Sequence, residues 1–120
     1  MKKILLFGFE DLPTILKLQK AVAGAGAEVV PVGRSDHGKT IGALAGLDTA
    51  PAAPYTGPAL GGRMVVLCVP MEEVQALLPL LNGAGAAGSL KAVLTPHNRG
   101  WTAAALYGEL AREQREMQRR

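Results

Sequence analysis

Two polar turns carry most of the residues that could do chemistry. The first, Gly33-Arg34-Ser35-Asp36-His37-Gly38-Lys39-Thr40, fits the spacing G-x-x-x-x-G-K-[ST]. In that pattern backbone N–H groups cradle phosphates, the lysine reaches the terminal phosphate and the hydroxyl meets magnesium. The setting agrees, with a strand-like run before and a helix-like run after. Three features oppose a nucleotide site. The turn follows the second strand, not the first. The third strand ends in Val69-Pro70 without an aspartate for a metal, and the chain is short for a nucleotide hydrolase. The acids nearest to a strand end are Glu10 and Asp11.

The second turn is Thr95-Pro96-His97-Asn98-Arg99-Gly100, leading into Trp101-Thr102. His37 and His97 sit in equivalent turns, but a metal needs three or four ligands and no cysteine joins them. No metal and no cofactor is expected. Cys68 lies inside an apolar strand, where burial raises a thiol pKa and blocks access. Ser35 and Ser89 lack the G-x-S-x-G setting of a hydrolase nucleophile. Trp101 reads as a packing anchor, because so few other aromatics are present to fill a core. No catalytic residue is assigned. The candidate ligand-binding set is Glu10, Asp11, Arg34, His37, Lys39, Thr40, Thr95, His97, Asn98, Arg99 and Trp101.

The elements that must position these turns follow from periodicity. Lys3–Phe9 and Arg63–Val69 are continuous apolar runs, expected as strands buried on both faces. Asp11 caps a first helix with Pro13 in its first turn, and Leu12, Ile15, Leu16 and Val22 form the expected buried face. Glu28–Val32 is the second strand, and a short helix is expected over 39–47. The stretch 48–62, rich in Pro, Ala and Gly, has no period and reads as an excursion outside the core. Pro70-Met71-Glu72-Glu73 starts a helix buried through Val74, Leu77, Leu78 and Leu81, which Pro79 is expected to kink or shorten. After a Gly/Ala loop over 82–89 come a fourth strand ending at Leu94 and a last helix from Trp101. Leu106, Leu110 and Met117 are its expected buried face.

Sliding the chain by 62 residues aligns its halves without a gap. Leu5/Leu67, Glu10/Glu72, Leu16/Leu78, Gly26/Gly88, Gly38/Gly100, Thr40/Thr102, Leu44/Leu106 and Gly46/Gly108 match. An internal repeat of 3–47 and 65–109 is therefore expected within one domain spanning 1–120. The expected fold is α/β: a four-stranded, mainly parallel sheet of order 2-1-3-4, with helices on both faces and two pseudo-twofold β-α-β-α halves. The alternative is a ferredoxin-like α+β arrangement, in which the two β-α-β units pair antiparallel. A fully parallel sheet would gather all strand C-termini, and both turns, along one edge. An antiparallel union would send the turns to distant corners.

Composition narrows the class. With 48% hydrophobic and 19% charged residues the chain is an ordinary globular domain, and 120 residues suffice for one core. A net charge of +3 slightly favours anions, but no dense basic face with interleaved aromatics marks a nucleic-acid domain. The tail EQREMQRR reads as a solvated helix end. Lys2-Lys3 precede an apolar run that stops at Glu10-Asp11, too short for a leader, and no stretch reaches membrane-spanning length. A single cysteine suits a reducing compartment, so a cytoplasmic location is expected. The expected partner is a small anionic ligand or a protein, with homo-oligomer formation open.

The segment Leu90-Lys91-Ala92-Val93-Leu94-Thr95-Pro96, then Asn98, Trp101-Thr102 and the following Leu106, Glu109 and Leu110, resembles a bacterial family, domain of unknown function 3783. The likeness is specific over Leu90–Glu113 and looser over the N-terminal ILLFGFED and the middle strand. It implies a small bacterial cytoplasmic domain with no assigned activity. It also marks Thr95, Pro96, Asn98, Trp101 and Thr102 as the family's motif, and that family's pattern has no Gly-Lys-Thr signature in the first-half turn. The resulting expectation is a non-enzymatic ligand- or protein-binding module with an anion-favouring site at the strand C-terminal ends. The alternative is a nucleotide-binding enzyme using 33–40.

Overall fold

Ile4, Leu5, Leu6 and Phe7 are all buried in β1 (Lys2–Phe7), so this strand is covered on both faces. The same holds for Met64 to Leu67 in β3 (Met64–Cys68). Such double burial requires helices above and below the sheet, and the computed structural model of the chain, which describes residues 2–49, 55–57 and 60–118, shows them. Residues 50–54 and 58–59 of the excursion, and Arg119-Arg120 of the tail, lie outside the described residues. On one face α1 (Leu12–Ala23) and α3 (Met71–Leu81) cover Ile4, Leu6, Val65 and Leu67. On the other, α2 (Ile41–Leu44) and α4 (Ala103–Gln118) cover Leu5, Phe7, Met64 and Val66.

The strand order is β2-β1-β3-β4, with β2 at Ala27–Val32 and β4 at Leu90–Val93. This is the expected 2-1-3-4 sheet of an α/β domain. The outer pairs β1/β2 and β3/β4 are parallel, and the central pair β1/β3 is antiparallel, with Ile4 opposite Leu67 and Leu5 opposite Val66. Two β-α-β units thus join antiparallel through their first strands, the feature expected of the alternative arrangement. A parallel β3 needs a crossover that returns along a whole strand, on the order of 20 Å and usually helical, whereas the four residues of α2 climb only about 6 Å. The chain instead enters β3 at the edge where β2 ended, and the single edge of four strand C-termini does not form.

Local details depart from the periodicity in instructive ways. β1 ends at Phe7 because Gly8 turns the chain with φ +79°. Leu12 and Leu16 are exposed, at 63% and 59%, whereas Val22 is buried and Ile15 packs partly buried beside it as expected, and Leu18 joins them. The helix is rotated relative to the expected face because Leu18 and Val22, one turn apart, point to the sheet. In α3 the expected residues Val74, Leu77 and Leu81 are buried, with Leu78 packed beside them. The helix runs through Pro79, and the break comes a turn later. There Asn82–Ala86 widens and Gly85 takes φ 120°. Leu106 is buried and Leu110 packs against that core, but Met117 is 71% exposed, since α4 outruns the sheet. Its far half is solvated and self-paired, with Arg112 held by Glu109 and Glu116. Among the described residues no helix is long and apolar enough to cross a membrane.

Candidate functional site

Where β1 and β2 end, Gly8 approaches the strand leading into β3. A Cβ at Gly8 would lie 2.7 Å from the Gly62 carbonyl oxygen, so only glycine permits both the turn and the contact. Beside this crossing opens a cleft of about 430 Å³, within the size range of small-molecule sites. Phe9, Pro31, Val32 and Leu60 give it apolar walls. Arg34, Arg63 and Glu10 supply its charge, two cations against one carboxylate. The Arg63 guanidinium sits 4.8 Å from the Phe9 ring centroid, a cation–π contact that holds it at the wall. Arg34 donates through Nη2 to the Gly57 carbonyl at 3.2 Å.

His37 also lines the cleft and is only 5% exposed. Its ring lies between Phe7 and Tyr55, with centroids 5.7 and 6.1 Å away. Among the described residues neither Nδ1 nor Nε2 has a hydrogen-bond partner, and both atoms are sealed from solvent. Burial lowers the His37 pKa below the ordinary 6.5. The Val32 backbone opposes the fall, Arg34 adds to it and Asp36 resists it. The imidazole is therefore neutral near pH 7, offering one N–H and one bare nitrogen.

The rest of the phosphate-loop-like segment is spent internally. Arg34–Asp36 forms a 3-10 turn, and Lys39 Nζ pairs with Asp36 Oδ1 at 2.8 Å. Thr40 Oγ1 accepts from Ala43 N at 3.1 Å and so caps α2. The lysine and hydroxyl that a nucleotide would need are both engaged. Glu10 reaches the cleft, while Asp11 accepts from the Thr14 hydroxyl instead.

The second turn is a closed structural knot. Asn98 is buried; its Oδ1 accepts from Thr95 N at 2.9 Å and its Nδ2 donates to the Val93 carbonyl at 3.0 Å. Thr95 Oγ1 returns a contact by accepting from Asn98 N at 3.2 Å. Arg99 makes a two-pronged ion pair with Asp48, at 2.8 and 2.6 Å. That guanidinium holds the Asp48 carboxyl below its usual range. His97 packs on the half-buried Trp101, centroids 5.2 Å apart. A second hollow of about 500 Å³ lies beside Leu47, Leu94 and Pro96, but its charged lining residue, Arg99, is already paired.

The two turns meet even though β1 and β3 run antiparallel. Thr40 and Thr102 form an antiparallel bridge, with Ile41 N donating to Trp101 O at 2.9 Å and Ala103 N to Lys39 O at 3.1 Å. The expectation of distant corners is therefore corrected. The candidate residues nevertheless divide: Glu10, Arg34 and His37 line the cleft, whereas Lys39, Thr40, Thr95, Asn98 and Arg99 serve the scaffold. The sequence reading missed Arg63, Leu60 and the Gly61-Gly62 pair. Gly-Gly followed by an arginine at a strand entrance was the available signal, inside a stretch read as featureless.

Residues 63–117 match the family described as Domain of unknown function (DUF3783). The expected resemblance is borne out over that segment, which is less than half of the chain. The match covers β3, α3, β4 and most of α4, and includes the whole Thr95–Thr102 knot. Of the cleft residues, only Arg63 falls inside the DUF3783 segment. No curated protein and no solved structure matches the chain. Among the described residues, no three His, Cys, Asp or Glu side chains converge on a metal-sized space. Burial pushes the Cys68 thiol up to about 11, against the opposing charge of Lys3, so it is protonated and a poor nucleophile.

Proposed function

We propose that this chain is a non-enzymatic binding domain whose ligand is a small organic anion held in the cleft at the ends of β1 and β2. One observation carries the reading: Arg34 and Arg63 flank an apolar space large enough for a small molecule, opposed by Glu10 alone. Apolar walls supply the burial and the guanidiniums select the charge, because planar N–H pairs match a carboxylate. The nucleotide alternative draws less support, since Lys39 and Thr40 are already occupied.

The same reading takes the molecule as one domain built by duplication of 3–47 and 65–109. Its support is the Thr40–Thr102 bridge, which joins two residues equivalent under the 62-residue shift. A bacterial, cytoplasmic setting accords with the lone Cys68 thiol and the family.

Calorimetric titration with benzoate tests the binding reading. Wild type should bind, and Arg63→Gln should weaken binding by about tenfold, the scale of one charged hydrogen bond. Undiminished affinity in Arg63→Gln would displace the site from the cleft. Magnesium-dependent ATP binding that is lost in Lys39→Ala would establish the nucleotide alternative.

A further inference from the structure

Charged side chains in the turn beside the cleft find one another, as Lys39 and Asp36 do at 2.8 Å. Those lining the cleft do not. Among the described residues no ion pair joins Glu10 to Arg34 or Arg63, and none of the three pairs with another charged side chain. Neutral partners hold the guanidiniums instead, the Phe9 ring for Arg63 and the Gly57 carbonyl for Arg34. Such partners fix position without cancelling charge. Glu10 follows the buried Phe9 and is itself exposed. One cleft thus offers uncompensated charge of both signs beside apolar walls. We infer that the ligand of this cleft is an α-amino acid with an apolar side chain, its carboxylate held by the arginines and its ammonium by Glu10. The inference rests on the anion-binding reading and narrows its ligand class.

Charge placement selects the zwitterion. A carboxylate on the guanidiniums shares the cleft with Glu10, and like charges repel. An ammonium beside that carboxylate turns the repulsion into attraction, and its N–H groups donate charge-assisted hydrogen bonds to Glu10. Phe9, Pro31, Val32 and Leu60 then receive the apolar side chain. A hydroxyl in the ammonium's place donates one bond but brings no charge. Glu10 solvated by water alone is the competing state. It would leave the cleft with no preference for the ammonium.

The test compares 3-phenylpropanoate, its 2-hydroxy analogue and free phenylalanine, one carbon skeleton with three substituents, on wild type and Glu10→Gln. Phenylalanine should bind wild type about tenfold more tightly than the plain acid, with the hydroxy acid falling short of it. Glu10→Gln removes the charge at an exposed position. There phenylalanine should weaken, the plain acid should tighten and the preference should disappear. A wild type that binds the plain or the hydroxy acid as tightly as phenylalanine overturns the inference while leaving anion binding intact. So does a preference that survives in Glu10→Gln. Binding of none of the three acids overturns the underlying reading as well. Carbon-detected carboxyl spectra of wild type need no variant. Saturation with phenylalanine must shift the Glu10 carboxyl signal more than saturation with the plain acid does; an equal shift, or none, overturns the inference.

Discussion

Thr40 and Thr102 lie side by side in an antiparallel bridge, and each also caps its own helix. Thr40 Oγ1 accepts from Ala43 N and Thr102 Oγ1 from Ala105 N, both at 3.1 Å. The two turns thereby become one rigid strap over the face of the sheet that holds Phe7. Ala104 N donating to the His37 carbonyl at 3.1 Å ties that strap to the cleft. Thr40→Val and Thr102→Val keep shape and remove one cap each. Each should cost about 1 kcal/mol in denaturant unfolding, and a loss below a few tenths would show that the caps do not hold the strap.

Asn98→Ala should cost more, about 2–4 kcal/mol, because it strands both the Thr95 N–H and the Val93 carbonyl. Anion binding in the cleft should survive in the folded fraction. Loss of binding with unchanged melting would instead make the Thr95–Thr102 motif a contact surface.

Gly8→Ala adds a Cβ at positive φ and presses it against the Gly62 carbonyl. Destabilisation of about 2–4 kcal/mol is expected, with the cleft distorted as well. A variant of wild-type stability would show that the crossing of β1 and residues 61–63 is loose.

His37 gives stability a pH dependence of defined sign. Its pKa in the fold lies below the ordinary 6.5, so the unfolded chain binds more protons as pH falls. The contribution is complete above about pH 6.5 and is lost as pH drops toward the depressed value. Arg34 deepens the effect and Asp36 moderates it. Melting temperatures from pH 7 to about pH 5 should fall more steeply for wild type than for His37→Phe. Asp48 and Glu109, lowered by Arg99 and Arg112, act in a separate window below about pH 4.5. Parallel profiles for the two proteins would contradict the buried, neutral state of His37.

Sheet order, two-sided burial of β1 and β3, and the α3 face were legible because long apolar runs and a 3.6-residue period report burial directly. Strand direction was not. It depends on whether the link after β2 can return along the sheet, and the helix expected over 39–47 formed only at Ile41–Leu44. Leu12 and Leu16 misled because helical spacing alone does not say which of two apolar stripes faces inward. The motif Thr95-Pro96-His97-Asn98 was visible as a motif, yet its hydrogen bonds show a scaffold, a distinction that composition cannot make. Arg63 escaped notice because the cleft is completed by segments far apart in sequence, Gly8–Glu10, Gly33–His37 and Leu60–Arg63. Only the fold brings them together.

The most direct measurement is amide chemical-shift mapping during titration of wild type with benzoate. The account predicts saturable shifts at Gly8, Phe9, Gly33, Arg34, His37, Gly62 and Arg63, the residues bordering the cleft, with Thr95, Asn98 and Arg99 unmoved. Saturable shifts centred on Thr95–Arg99, or no shifts at millimolar acid, would contradict it.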